Sequence, residues 1–189
     1  YTTDGTAPDS GDPALTNGRH NTVMTSNAAP SGSAADSQSN AYAWQAFDNS
    51  QSTAAWSQSS LDYAQSYWVR QVFTAPIKCT KFEIKFRYSG SSTNVTVYLE
   101  RSGDGVSWTQ HAGMGYSQAD SDHTWSGEVD DTSSALYWRV RFYNGHYLNF
   151  AAPTIYHVSL MDNVVYVDSA MTVKAIAIKS GYLDSAIAS

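Results

Sequence analysis

Strict alternation of apolar and polar residues is the feature that most restricts what this chain can fold into. In the segment KFEIKFRY (residues 81–88), Phe82, Ile84, Phe86 and Tyr88 alternate with four charged residues. Since successive side chains of an extended chain point to opposite faces, this period of two predicts a strand with one buried face. The four apolar side chains are therefore predicted to point into a core.

The same alternation recurs along much of the chain. Its inward residues are predicted to be Val95, Val97 and Leu99 in NVTVYLER and Trp138, Val140 and Phe142 in YWRVRFYN. Three further strands are predicted at 66–73, 154–161 and 172–179. Turn signals such as SGDG and YNGH separate the strands, and no window gives a convincing amphipathic helix. The sequence thus predicts an all-β protein, most simply a β-sandwich.

Composition excludes several classes of partner. Only 15% of the residues are charged, the formal net charge is −6, and Lys and Arg form no cluster. Nucleic acid and anionic membranes are therefore not expected as partners. No apolar run approaches the roughly 20 residues of a membrane helix, so membrane insertion is not expected either. The single cysteine, Cys79, is predicted to be a small buried side chain.

Residues 15–162 resemble the discoidin, or coagulation-factor C-type, domain, a jelly-roll β-sandwich shared with many galactose-binding-like carbohydrate modules. The resemblance is carried by four motifs in the family's order: AWQAFDNSQSTAAW, YWVRQVFTAPIKCTKFEIKF, VYLERSGDGVSWTQ and LYWRVRF. It implies that Trp56, Trp68 and Trp108 belong to the core. Arg139, on an otherwise apolar strand, is predicted to be a structural ion-pair or hydrogen-bond partner.

The two ends of the chain resemble a different family. YTTDGTAP at the start and TVKAIAIKSGYLDSAIAS at the end are similar to the small Ig-like β-sandwich found at the C-terminus of chitobiase and hexosaminidase enzymes. We therefore expect the discoidin-like domain (15–162) to be inserted into an Ig-like domain formed by residues 1–14 and 163–189, with residues 1–12 pairing against the closing segment. Tyr1 is then not a true start, and the chain belongs to a larger protein or assembly.

The discoidin resemblance implies a structural Ca²⁺ site. The family's Asp-containing loop corresponds here to Asp48, Asn49, Gln51 and Thr53, whose oxygen donors suit calcium. One departure weakens the match: the family's acidic ligand on the last strand is replaced by His157, and imidazole is a poor calcium ligand. The alternative is an aspartate that only caps its own turn.

Carbohydrate binding is the predicted activity. Sugars present apolar C–H faces and hydroxyl rims, so their sites combine exposed aromatic rings with hydrogen-bonding side chains. In this fold ligands meet the loops at one end of the sandwich, and Trp44 is the expected principal contact. The alternative is that many of these side chains only cover the rim of the sandwich. The candidate residues are Tyr42, Trp44, Tyr63, Tyr88, His146, Tyr147 and Asn149.

The region MGYSQADSDHTWSGEVDD contributes Tyr116, His123 and Trp125, but the sequence does not assign it to either end of the sandwich. Its carboxylates and histidine form an exposed-looking acidic stretch without an apolar wall to raise the pKa of an acid. No G-x-S-x-G, H-E-x-x-H or phosphate-binding loop occurs in the sequence. An enzyme is therefore not expected.

The predicted function is a non-catalytic carbohydrate-binding or adhesion module of an exported or virion protein, such as a phage tail, fibre or capsid-decoration protein. It would bind glycans or glycoconjugates on a cell surface. A weakly charged β-protein with 13% aromatic residues fits an extracellular or virion-surface location. Two alternatives stay open: a structural module whose loops contact neighbouring subunits, and an accessory domain of a secreted glycoside hydrolase.

Overall fold

A computed structural model describes residues 18–19, 23–56, 61–88, 95–116, 121–129, 133–145 and 153–162. These residues form strands joined by turns and one short 3-10 helix, Ala43–Phe47. The all-β prediction is therefore confirmed. The strands are β1 (Gly18–Arg19), β2 (Ser33–Asp36), β3 (Ala55–Trp56), β4 (Ser66–Lys78), β5 (Lys81–Arg87), β6 (Val95–Ser102), β7 (Thr109–Tyr116), β8 (Asp122–Glu128), β9 (Ser134–Asn144) and β10 (Thr154–Asp162).

The strands form two five-stranded antiparallel sheets. Sheet A has the order β2-β4-β9-β6-β7, and sheet B has the order β1-β10-β5-β8 with β3 paired to β10. The pairing is mostly between strands distant in sequence, which is typical of a jelly-roll or Greek-key sandwich and not of a simple meander. The predicted β-sandwich is thus confirmed for this part of the chain.

The two sheets pack face to face over an aromatic core. Phe86 of sheet B and Phe142 of sheet A meet edge to face, with ring centroids 5.1 Å apart. All ten residues predicted to point inward are buried, because the alternation places them on the facing surfaces of the sheets. They are Phe82, Ile84, Phe86, Tyr88, Val95, Val97, Leu99, Trp138, Val140 and Phe142.

Two of the three tryptophans expected in the core are only half-buried. Trp68 lies between the inward-pointing Tyr67 and Val69, so its own side chain points to the outer face of sheet A. Trp108 covers the guanidinium of Arg139 at 3.9 Å. The prediction that these two indoles are core residues is therefore wrong, whereas the indoles of Trp125 and Trp138 are buried. The side chain of Trp56 lies outside what the structure describes, so its place in the core stays a prediction.

Tight turns close the sandwich at the end opposite to the starts of β4 and β6. Between β4 and β5, Cys79 is fully buried, as predicted, and its thiol donates to the Lys81 carbonyl oxygen at 3.2 Å. Between β6 and β7, Asp104 Oδ1 accepts from the backbone N–H groups of Val106 and Ser107, each at 2.8 Å. Hydrogen bonds to Asp104, chiefly those from the Val106 and Ser107 N–H groups, lower the pKa of its carboxyl group to about 2.

The chain divides into two units, one comprising Arg19–Asp162 and the other Tyr1–Gly18 with Asn163–Ser189. The predicted Ig-like strands, including the pairing of residues 1–12 with 163–189, lie outside the described residues and stay a prediction. Within the described ranges, no helix is long and apolar enough to cross a membrane.

Candidate functional site

Several strand ends of the two sheets meet at one end of the sandwich. In sheet A, Tyr143 near the end of β9 lies opposite Ser66 at the start of β4, and Val95 at the start of β6 lies opposite Asn144. In sheet B, Arg87 at the end of β5 lies opposite the starts of β8 and β10. We call this the loop end; its described residues outside the strands are 37–42, 61–65, 88, 121, 145 and 153.

Tyr42 is an exposed aromatic residue on the first of these segments, with 47% of its surface accessible. It immediately precedes the 3-10 helix, and its backbone N–H donates to Asn40 Oδ1 at 3.0 Å. Asn27 holds the same stretch from the neighbouring loop: its side chain donates to the Asn40 carbonyl oxygen and accepts from the Trp44 N–H. The backbone that carries Tyr42 is therefore fixed by side-chain hydrogen bonds.

A buried aspartate completes this support. Asp36 Oδ1 accepts from the N–H groups of Gln38 and Asn40, and Asp36 Oδ2 accepts from the Tyr67 hydroxyl at 3.0 Å. Burial, and then the charge of Asp36, raise the pKa of Tyr67 above its ordinary value, so this phenol donates at every physiological pH. The sequence analysis missed this network; the signal was an acidic residue at an inward position of the alternating segment SAAD.

Tyr63 is the second exposed aromatic residue of the loop end, at 48% accessibility. Its segment is fixed to the end of β9: Asn144 donates from its side chain to the Leu61 carbonyl oxygen at 3.0 Å, and its own carbonyl oxygen accepts from the Ala64 N–H at 2.8 Å. Asn144 is fully buried. Tyr63 therefore lies on a turn whose neighbouring residues Leu61 and Ala64 are hydrogen-bonded to Asn144.

The other predicted sugar-binding residues divide into three cases. Trp44 is half-buried and packs against the core, which leaves only part of its indole for a ligand. Tyr88 is fully buried, because it continues the inward alternation of β5, so the prediction that it contacts a sugar is wrong. His146, Tyr147 and Asn149 lie outside the described residues and stay predictions.

Tyr88 belongs to a cluster of aromatic side chains at the loop end, which also contains Phe86, Tyr116 and His123. Its ring stacks on that of His123 at 5.5 Å, and His123 also stacks on Phe86 and contacts Tyr116 at 5.0 Å. Burial, with a smaller effect of Tyr88, raises the pKa of Tyr116 to about 12. The region that the sequence left unassigned thus places Tyr116 and His123 at the loop end, whereas Trp125 packs on Phe82 in the core.

The predicted calcium loop forms a tight turn around its aspartate. Asp48 Oδ1 accepts from the Ser50 N–H, and Asp48 Oδ2 accepts from the Thr53 hydroxyl. The Gln51 side chain instead accepts from the Lys85 ammonium at 3.4 Å, and Asn49 has a positive φ of 63°. Asp48 and Thr53 are therefore brought together as expected, while the capping alternative accounts for the same contacts.

The resemblance implied an acidic calcium ligand on the last strand, and His157 stands at that position instead. His157 is buried on β10, and its Nε2 lies 4.0 Å from Glu83 Oε1. No group of three His, Cys, Asp or Glu side chains within the described ranges is placed to hold a metal ion. A cation at the Asp48 loop would have one carboxylate and otherwise neutral oxygen donors, which fits a weak calcium site.

The outer face of sheet A carries a cluster of charges. Glu100 accepts from Arg139 Nε at 2.6 Å and from Arg141 at 2.6 Å, which confirms the structural role predicted for Arg139. Burial acts to raise the pKa of Glu100, but the hydrogen bonds from Arg141 and Arg139 outweigh it and hold this pKa below its ordinary value. Burial, opposed by Glu100, lowers the pKa of Arg139.

The chain is similar in fold to a solved carbohydrate-binding module. A family 32 module of AlyQ, in complex with 4,5-unsaturated mannuronic acid, matches 68% of this chain and 93% of its own length with a TM-score of 0.51 and 14% identity. At this identity the likeness shows the fold alone. No protein-family model and no curated protein sequence matches the chain.

Two further solved structures are similar at lower scores. Chitosan-binding module 1 of a chitosanase/glucanase from Paenibacillus sp. IK-5 covers 72% of this chain and 98% of its own, at a TM-score of 0.49 and 14% identity. The C-terminal domain of a chitobiase from Bacteroides fragilis covers 76% of this chain and 91% of its own, at a TM-score of 0.47 and 20% identity.

Proposed function

We propose that residues 19–162 form a non-catalytic glycan-binding module that contacts its ligand with the loop end. The observation that carries this proposal is the pair Tyr42 and Tyr63, each about half-exposed on a backbone segment held by buried polar side chains. The fold shared with the AlyQ module, which binds a uronic acid derivative, supports the same conclusion.

The chemistry of the two tyrosines suits a sugar ring. A phenol offers an apolar face to the C–H groups of a pyranose and a hydroxyl that hydrogen-bonds at its rim. Because Asn27, Asn40 and Asn144 already fix the backbone, little conformational entropy is lost on binding. The site is therefore preorganised for a shallow contact with one or two sugar units.

The biological setting extends this proposal. We infer an exported or virion protein that uses the module to attach to cell-surface glycans. A Ca²⁺ ion at the Asp48 loop would stabilise the module without contacting the sugar. In the structural alternative, the same loop end is buried against a neighbouring subunit.

The proposal predicts that Tyr42→Ala and Tyr63→Ala each weaken glycan binding by about three- to tenfold, since each removes a stacking surface of roughly 1 kcal/mol. The ligand would first be found on a glycan array, and its affinity would then be measured by titration calorimetry. Tyr156→Ala is the matched control, because Tyr156 is a half-buried tyrosine on the outer face of sheet B.

Equal effects of all three substitutions would contradict the assignment of the loop end. Trp44→Ala on a protein that binds sugar tests the contact favoured by the sequence; unchanged affinity would remove Trp44 from the site. Stable oligomers in solution, dispersed by Tyr42→Ala or Tyr63→Ala, would instead support the structural alternative.

A further inference from the structure

We propose that the outer face of sheet A is a second binding surface, which takes a polysaccharide chain carrying carboxylate groups. It shares the ligand class of the proposed function but uses none of the loop-end residues, so each proposal stands or fails separately. The surface is defined by Trp68, Arg70, Tyr98, Trp108, Arg139 and Arg141.

Strand register places three arginines side by side on this face. Arg70 of β4 lies directly opposite Arg139 of β9, and Arg139 lies opposite Glu100 of β6. In the adjacent row, Arg141 lies between Trp68 and Tyr98. Neighbouring strands are about 4.8 Å apart and same-face rows about 7 Å apart, so all three guanidinium groups occupy one small patch.

The charges of this patch do not balance. Glu100 neutralises one of the three guanidinium groups, which leaves an excess of two positive charges in a chain whose net charge is −6. Like charges directly opposite each other on a sheet are destabilising, and Arg70 and Arg139 are such a pair. An anion bound between them would remove this repulsion.

One hydrogen-bond donor in the patch, Arg70 Nε, lacks an acceptor within the described part of the chain. Arg70 Nε is buried, and no acceptor lies within reach among the residues that the structure describes. Arg139 contacts Glu100 through Nε. Because a buried donor without a partner costs about 1–3 kcal/mol, the arrangement favours a ligand that supplies the missing oxygen atoms. Carboxylates do so in the geometry that a guanidinium fork prefers.

Aromatic rings hold the arginines in place and extend the surface. Each guanidinium carbon lies over an aromatic ring. Arg70 is 5.2 Å from the ring centroid of Trp68, and Arg139 is 3.9 Å from that of Trp108. Arg141 is 4.3 Å from the ring centroid of Tyr98. Both indoles are half-buried and so keep exposed surface. On the neighbouring strand β7, a Cβ atom at Gly115 would meet nothing within 4 Å, which leaves room for a ligand close to the backbone there.

A carboxylated polysaccharide fits this combination better than the other common polyanions. Its pyranose rings present apolar faces to Trp68 and Tyr98 while its carboxylates reach the arginines. Nucleic acid fits less well, because its binding relies on many phosphate contacts and this patch offers three guanidinium groups. The alternation of aromatic and cationic groups matches a chain in which every sugar unit carries one charge.

The test is calorimetric titration of the full chain with sodium polygalacturonate and with its fully methyl-esterified form. We expect the acid form to bind, and added salt to weaken this binding. Arg70→Gln should reduce the affinity of the protein for the acid form roughly tenfold, as expected for the loss of one charge-assisted hydrogen bond. Lys78→Gln is the matched control, because Lys78 is an exposed cation near the far end of the same strand; its affinity should change less than twofold.

A second variant avoids any dependence on the packing of Arg70. A Cβ atom at Gly115 meets nothing within 4 Å, so Gly115→Glu adds a negative charge beside the patch without disturbing the fold. We expect it to weaken polygalacturonate binding several-fold. Absence of binding at low salt, or equal losses in Arg70→Gln and Lys78→Gln, would overturn the inference. The inference would also be overturned if Tyr42→Ala lost polygalacturonate binding while Arg70→Gln kept it. That outcome would leave the loop-end proposal intact.

Discussion

Glu100 is the residue on which the outer face of sheet A depends most. Its side chain is 7% exposed even though it points away from the core, because Arg139 and Arg141 cover it. A buried carboxylate bound by two guanidinium groups loses its solvation, and their hydrogen bonds offset that loss. Removing the carboxylate leaves three neighbouring cations with no counter-charge.

We therefore expect Glu100→Gln to lower the free energy of unfolding by about 2–3 kcal/mol. Glu128→Gln is the control, since Glu128 is 71% exposed and lies 3.6 Å from Lys81; this exposed pair contributes less than about 1 kcal/mol. Urea denaturation of both variants measures the difference. Equal stabilities of the two variants would show that the arginine pair is not held by Glu100.

The stabilisation by Glu100 depends on pH in a defined direction. Its pKa is lower in the folded state than its ordinary value of 4.5, so its contribution is complete above pH 4.5 and is lost as the pH falls through the folded value. The gap in stability between wild type and Glu100→Gln should consequently narrow from pH 7 to pH 3. A gap that stays constant over this range would assign the effect to packing.

The sequence revealed half of this arrangement. A cation on the apolar strand β9 predicted that Arg139 is paired, and the partner at 2.6 Å confirms it. The identity and burial of Glu100 were out of reach, because they depend on which strand lies beside β9. That neighbour, β6, is determined by long-range pairing and not by local sequence.

Among the elements, the turn that leads into β2 is the most tightly constrained. Gly32 has a φ of +71°, and a Cβ atom there would lie 2.2 Å from the Val72 carbonyl oxygen of β4. Both the backbone conformation and the close approach of the two strands require glycine. The turn thereby fixes the register of Ser33 against Val72.

Gly32→Ala is expected to destabilise the protein by about 2 kcal/mol or more, from the left-handed conformation and the clash together. In a domain of this size, this corresponds to a fall in Tm of roughly 4–8 °C. Gly115→Ala is the control, because its Cβ meets open space and the change should stay within about 0.5 kcal/mol. Thermal unfolding followed by circular dichroism compares the two; similar Tm values would contradict the constraint.

Strands were predicted more successfully than connections. The alternation located β4, β5, β6, β9 and β10, since burial of one face imposes a period of two that local sequence records. The 3-10 helix Ala43–Phe47 was not predicted, because five residues are too few for a periodic signal. Tyr88 shows the remaining ambiguity: it ends an inward series and begins a loop, and only packing decides between the two.

At the scale of the whole molecule, the site is an outcome of topology. The loop-end tyrosines come from segments on either side of β3, and they share an end because β2, β4 and β9 are neighbours in sheet A. The discoidin resemblance predicted that loops at one end of the sandwich bind the ligand, and that role stays a prediction. The cationic surface of sheet A was not predicted: Arg139 and Arg141 share one face of β9, but Arg70 joins them only across the pairing of β4 with β9.

A calcium ion at the Asp48 loop would stabilise the molecule as a whole. If the ion binds only the folded state, a concentration 100 times its dissociation constant adds about 2.7 kcal/mol, or roughly 5–10 °C in Tm. Asp48→Asn should abolish the rise while keeping an oxygen that caps the turn, and Asp104→Asn is the control at an equivalent turn between β6 and β7. The same Tm with calcium and with a chelator would rule the ion out.

The position of β9 has a consequence for how the protein comes to be folded. It is the central strand of sheet A, and β10 is an inner strand of sheet B, yet both are the last described strands to be synthesised. Until they emerge from the ribosome, β4, β5 and β6 have open edges that invite association with other chains. In sheet A only the β6–β7 hairpin pairs locally, so folding should take milliseconds to seconds and begin late in translation. A nascent chain stopped before residue 134 is the form most exposed to aggregation.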